Sequence, residues 1–169
     1  MATRKPSAGL LVHRRRATGA QETCDGRLQV LLVHPGGPFW AKRDAGAWSI
    51  PKGEYEPGED PLSAARREFA EELGIGAPAG EPIDLGEVRQ RSGKLVRAWA
   101  VAGDLDVSSI SSNTCWVQWP PRSGKQIEVP EVDRAEWFDV PTARAKINAG
   151  QVPLLERLEH TLAIQLRHQ

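Results

Sequence analysis

Gly53 to Ile75 reads GEYEPGEDPLSAARREFAEELGI, and this stretch decides how the rest of the chain is understood. It carries the signals of a helix with defined ends. Asp60 suits an N-cap, Pro61 the first helical position, and Gly74 the C-terminal stop. Leu62, Ala65, Phe69 and Leu73 recur at helical spacing and form an apolar stripe for a core. The other side is charged. Residues three and four apart on a helix lie above one another, so Glu68, Glu71 and Glu72 are expected to converge beside the guanidinium of Arg67.

Like charges on one helix side repel by roughly a few tenths of a kcal/mol per pair, a cost that turns into a gain when a divalent cation sits among them. Carboxylate oxygens are hard ligands that suit magnesium, with manganese as a substitute. The plainer reading of the same residues is a solvated helix with incidental Glu–Arg pairs.

The flanks bear on that choice. With Gly53, Glu59, Arg67, Glu68, Phe69, Glu71, Glu72, Gly74 and Ile75 all in register, the segment resembles the Nudix box of the Nudix hydrolase family. The resemblance implies metal ligation by Glu68, Glu71 and Glu72 with the backbone carbonyl of Gly53. It also implies a carboxylate-orienting role for Arg67 and a bracing role for Glu59, with Gly74 as a structural box residue. The physics is compatible: a guanidinium holds neighbouring carboxylates ionised, and glycine lets backbone approach a metal or phosphate. The reaction implied is magnesium-dependent hydrolysis of a phosphoanhydride in a nucleotide. For the general base the candidates are Glu71 or Glu72 and, in PEVDRAEWF, Glu131, which stands six residues ahead of Trp137 as a late-loop glutamate does in several family members.

Around this centre the chain reads as an α/β protein. Ser7 to Arg15 and Leu28 to His34 are apolar runs expected as strands. The Pro- and Gly-rich PGGPFWAKRDAGAW reads as an irregular loop leading through WSIP into the box. Ile83 to Gln90 and Lys94 to Leu105 alternate as two further strands, with TCWVQWP and AEWFDV as shorter ones. PTARAKINAG and VPLLERLEHTLAIQLR read as helices, the second with leucines 154, 155, 158, 162 and 166 at helical spacing. The expected architecture is an α/β/α sandwich about a mixed sheet, one Nudix-type domain over residues 1–169.

Composition limits the partners. The chain has 22 basic and 22 acidic residues, a balance that favours neither nucleic acid nor anionic membrane. No apolar run approaches the ~20 residues of a membrane span, and with no secretory leader apparent, Cys24 and Cys115 read as reduced thiols of a cytoplasmic protein. No oligomeric state is specified.

Substrate contacts are read mainly from position. Pro51-Lys52-Gly53 resembles the form in Nudix members that take dinucleoside polyphosphates, and Lys52 is placed to pair with a distal phosphate. Such relatives carry a base-stacking tyrosine sixteen to twenty residues past the box; residues 91–95 have none, which leaves Trp99 as the substitute. Most tryptophans in strands are expected in the core, whereas Trp40 and Trp48 flank the loop beside the box and are the candidates for stacking a base. His13 and His34 are read as structural, and Arg89, Arg91, Lys94 and Arg97 as a basic border that can help hold a phosphate chain.

The wider run VLLVHPGGPFWAKRDAGAWSIPKGE looks like a bacterial branch of predicted nucleoside-triphosphate pyrophosphohydrolases. The leading expectation is therefore hydrolysis of nucleoside polyphosphates, either diadenosine tetraphosphate-type compounds or triphosphates. A pyrophosphatase for nucleotide sugars, ADP-ribose or oxidised triphosphates is the alternative among enzymes. A nucleotide-sensing module without catalysis is the alternative of another class, and such modules typically lose a box glutamate, which this chain has not.

Overall fold

The computed structural model describes residues 4–16 and 27–168; the turn read after the first strand, and Cys24 within it, lie outside the described residues. A six-stranded mixed sheet forms the centre. Its strands are β1 (Ser7–Arg16), β2 (Arg27–Pro35), β3 (Lys52–Glu54), β4 (Ile83–Arg89), β5 (Leu95–Ala102) and β8 (Val132–Asp139), in the order β4-β5-β1-β2-β8 with β3 paired to β1. β1 and β5 run parallel and the other pairs are antiparallel. A separate two-stranded sheet joins β6 (Thr114–Gln118) to β7 (Gln126–Pro130).

Side-chain alternation in the central strands builds both layers at once. Leu10 and Val12 of β1 with Leu31 and Val33 of β2 pack under helix α1 (Pro61–Leu73). Leu11, Val30 and Leu32 face the other way, towards α2 (Val140–Lys146) and α3 (Val152–Arg167). Helices thus cover both faces, which is the α/β/α sandwich.

The end signals of α1 act as their chemistry requires. Asp60 accepts from the Ser63 backbone N–H at 2.9 Å and from its hydroxyl at 2.7 Å. Gly74 closes the helix at φ 68°, donating to Ala70, and a Cβ there would stand 2.4 Å from the Ser111 carbonyl oxygen. Phe69 is fully buried among Ala64, Ala65 and Leu73, a burial worth roughly 1.5–3 kcal/mol that fixes which side of the helix faces out.

Several boundaries differ from the sequence reading. The strand expected over 94–105 ends at Ala102, because Gly103 turns away and donates to the His13 carbonyl. AEWFDV is the inner part of β8, while TCWVQWP supplies β6 outside the main sheet. The helix expected through PTARAKINAG stops at Lys146: Ile147 is extended at ψ 149° and buried, and it bridges to Trp48. In α3 only the first half packs tightly. Leu154, Leu155 and Leu158 are buried, whereas Ile164 and Leu166 are exposed.

Candidate active site

β3 and α1 present the box residues to one another. β3 is pinned in the sheet by pairing Ala8 with Gly53, so the strand's backbone lies directly against α1. A Cβ at Gly53 would stand 1.9 Å from Glu68 Oε2 and 2.0 Å from its carboxyl carbon, a space only glycine leaves. From the next turn, Glu72 Oε2 accepts the backbone N–H of Lys52 at 3.2 Å.

Arg67 ties this face together. Its Nη1 donates to Glu68 Oε1 at 2.7 Å and reaches Glu71 at 3.4 Å, while Nε and Nη2 both donate to Glu59 Oε1, at 3.2 and 3.1 Å. Glu59 Oε2 in turn accepts the Glu56 backbone N–H at 3.2 Å, so one carboxylate links the loop before α1 to the helix. Glu54, at the end of β3, is paired with Lys94 at 3.0 Å.

Burial divides the three helical carboxylates. Glu72 is the most enclosed, and desolvation pushes its pKa up to about 8 against the opposing pull of Lys52; the charges of Glu131 and Glu68 add to the rise. Glu68 is also raised, chiefly by burial, with Arg67 acting against it. Lys52 is lowered, again first by burial. Glu71 remains exposed.

Glu68 and Glu71 meet on the Arg67 guanidinium, and Glu72 stands one helical turn beyond Glu68. Among the described residues no three His, Cys, Asp or Glu side chains form a closed ligand group. Glu68 and Glu71 are drawn to Arg67, and Glu72 to the Lys52 backbone N–H. The donor chemistry nevertheless fits a hard divalent cation. The three atoms nearest the Gly53 cradle all belong to the Glu68 carboxylate, and the enclosed Glu72 carboxyl lacks a full compensating charge. Glu68, Glu72 and the Gly53 carbonyl are the groups that would hold such an ion, with Glu71 beside them.

Two cavities open next to this face, of about 320 Å³ and 370 Å³. Both are lined by Pro35, Trp40, Glu72 and Glu131, so the two carboxylates stand where the cavities meet. Glu131 reaches this place from the start of β8, its N–H donating to Asn113 and its carbonyl accepting from Gly36. Lys52 lies in the larger cavity with Gln90, Ser92 and Asn148.

The tryptophan candidates separate. Trp40 is half-buried at the junction of the cavities. Trp48 is instead core, 1% exposed, with its ring edge-on to His34 and Phe138 and its indole N–H on Asp44 at 2.8 Å. Although Trp48 is among the residues lining the larger cavity, at this burial it offers no free ring for a base. Trp99 packs beside the α1 layer with Arg97 over it and lines neither cavity. In strand β6, Trp116 is 66% exposed, against the expectation that strand tryptophans are core, because β6 lies outside the main sheet.

Arg97 is paired with Asp84 at 2.6 Å and Lys94 with Glu54, so two members of the basic border are already engaged. His34 is fully buried between Asp133 and the Arg43 carbonyl. Sequence reasoning missed Gln151, a fully buried amide that accepts the Ile50 N–H at 3.0 Å and donates to Ser49 Oγ at 2.9 Å, holding the segment that enters β3. Nothing local marks it; its partners lie about a hundred residues away.

Comparison with known proteins bears on this arrangement. The family model for the NUDIX domain matches residues 13–158. An Ap4A hydrolase from C. elegans, solved as a binary complex, superposes with a TM-score of 0.62 at 21% identity, covering 93% of this chain and 98% of that one. A mutT/nudix family protein from Listeria innocua gives 0.63 at 13% identity, with 98% of both chains covered. The NUDIX domain of NrtR from Shewanella oneidensis, in complex with ADP ribose, gives 0.61 at 14% identity over 96% of this chain and 90% of that one. At these identities the likeness is one of fold. No curated protein sequence matches the chain.

Proposed function

The chain belongs to the NUDIX domain family, hydrolases of phosphorus-containing anhydrides, and from that premise we propose that it is a magnesium-dependent hydrolase of nucleoside polyphosphates, of the diadenosine tetraphosphate type or triphosphates. The observation that carries the reading is the placement of Glu72 and Glu131 at the meeting point of two cavities, beside the Gly53 cradle. A phosphate chain lying across that point has room for a substituent on either side.

Magnesium held by Glu68, Glu72 and the Gly53 carbonyl would neutralise phosphate charge and lower the pKa of a bound water. The chain's own residues supply the rest. Arg67 holds Glu68 and Glu71 in place, and Glu59 holds Arg67. Lys52, enclosed in the larger cavity, faces the negative phosphates there. Glu131 takes a proton from the attacking water; the water oxygen forms a bond to one phosphorus, the bridging P–O bond breaks, and two phosphate-ended products leave. Trp40 offers a ring at the junction for a base. We propose a cytoplasmic location. Among the described residues no helix is long and apolar enough to cross a membrane.

The test is incubation with magnesium and diadenosine tetraphosphate, ATP, dGTP, ADP-ribose or a nucleotide sugar, with products identified by chromatography. ATP plus AMP from the first compound, or monophosphate plus pyrophosphate from a triphosphate, supports the proposal. Cleavage of ADP-ribose or the nucleotide sugar alone replaces it with the alternative pyrophosphatase. Binding without cleavage of any compound makes the chain a nucleotide-sensing module.

A further inference from the structure

We infer that the smaller cavity is a second base-binding lobe, walled by Phe39 and Trp40 on one side and by Val117, Trp119 and Val129 of the β6–β7 hairpin on the other. It takes a neutral aromatic base at the far end of the phosphate chain. The inference rests on the polyphosphate reading above and adds to it the class of compound preferred: one with a base at both ends.

Charge separates the two lobes. The larger cavity contains Lys52 and the polar side chains Gln90, Ser92 and Asn148. The smaller has no Lys, Arg or His among its lining residues, while Glu72 and Glu131 stand at its floor. Lys52 lines the larger lobe and no cationic side chain lines the smaller, so phosphate is better answered in the larger and an uncharged group suits the smaller. The walls are flat and apolar, which suits a ring.

The hairpin places these walls by its alternation. Cys115 and Val117 turn inward on β6, whereas Trp116 between them is exposed. Trp119 then follows the strand into the cavity wall, its backbone held by Lys125 at 3.0 Å. Among the described residues its ring stacks on no other ring and lies under no cation. Opposite, Phe39 is 50% exposed and is held edge-on to Trp40, with the Arg43 guanidinium 4.1 Å from its ring centre. Phe39 thus remains half in water at the mouth, with Trp119 partly exposed, area that a bound base would remove from solvent.

The experiment compares diadenosine tetraphosphate with adenosine 5′-tetraphosphate, which has the same number of phosphates and lacks the second base. Trp119→Ala should reduce kcat/KM for the dinucleotide by about 10- to 100-fold, the range of one lost base stack, and leave the mononucleotide within a factor of about two. Trp119→Phe should restore most of the loss, and thermal unfolding should be unchanged. An equal loss on both compounds, or none on either, overturns the inference. If the wild type cleaves neither compound, the polyphosphate reading fails by itself, and the lobe is tested by calorimetric binding of the same two compounds. Tighter binding of the dinucleotide that Trp119→Ala abolishes supports the lobe; equal binding overturns it.

Discussion

Gly53→Ala is the perturbation whose effects on stability and on activity should diverge most. The added methyl would sit 1.9 Å from Glu68 Oε2 and 2.6 Å from Oε1, so the carboxylate must leave. It can do so by rotating a side chain, since no backbone atom is among the nearest contacts. Moving Glu68 breaks its 2.7 Å pair with Arg67, worth about 0–1 kcal/mol because the guanidinium is 41% exposed. Alanine also restricts the unfolded chain, a gain of about 0.4–1 kcal/mol. These effects nearly cancel, and net stability should change by less than about 1 kcal/mol. Activity should not be spared. Displacing one oxygen ligand and its guanidinium partner should lower metal affinity or turnover by roughly 10- to 100-fold. The assay pairs denaturant unfolding with magnesium titration of hydrolysis. Adding Glu68→Ala gives a double-mutant cycle: Gly53→Ala should cost almost nothing further once Glu68 is gone. Additive losses, or full activity in Gly53→Ala, would refute the steric argument.

Other outcomes follow from the same geometry. In metal-free protein the raised Glu72 pKa, about 8 against an ordinary 4.5, means the folded state holds a proton the unfolded state releases. Glu72 therefore lowers stability progressively as pH rises from about 4.5 to about 8, a slope that Glu72→Gln should remove in pH-dependent unfolding. Magnesium must displace the same proton, so its affinity, measured by calorimetry, should climb with pH up to about 8 by at most tenfold per unit. Glu131→Gln should slow turnover by about 10²- to 10⁴-fold with little change in KM if Glu131 takes the proton; unchanged kinetics return that role to α1. Gly74→Ala should cost roughly 2 kcal/mol in unfolding experiments, because φ 68° disfavours a side chain and the Ser111 carbonyl stands 2.4 Å from the new Cβ.

What could be read from the sequence was local. Asp60, Pro61 and Gly74 mark α1 because caps act within one turn, and β1 and β2 show themselves as apolar runs because both their faces are covered. β3 escaped notice since three residues carry no period, and its identity comes from pairing with Ser7–Gly9. β7, in QIEVP, is half-exposed and pairs only with β6, so no core pattern marks it. Trp48 was misplaced for a related reason. Its neighbours Gly46 and Ala47 read as loop, yet Lys146 and Asn148, a hundred residues on, hold its backbone in the core at 3.1 and 2.7 Å. The meeting of Glu131 with Glu72, and the two lobes beside them, depend equally on contacts across the chain.

The central claim is that the carboxylates gathered on α1 act through a divalent cation on a phosphoanhydride. Its most direct test is magnesium-dependent cleavage of diadenosine tetraphosphate and ATP by wild type and Glu72→Gln, with thermal unfolding of both. The account predicts wild-type cleavage that stops when magnesium is chelated, a loss of at least ~100-fold in Glu72→Gln, and a variant at least as resistant to unfolding as the wild type at neutral pH. Equal turnover in the two proteins, or wild-type cleavage indifferent to chelation, would contradict it.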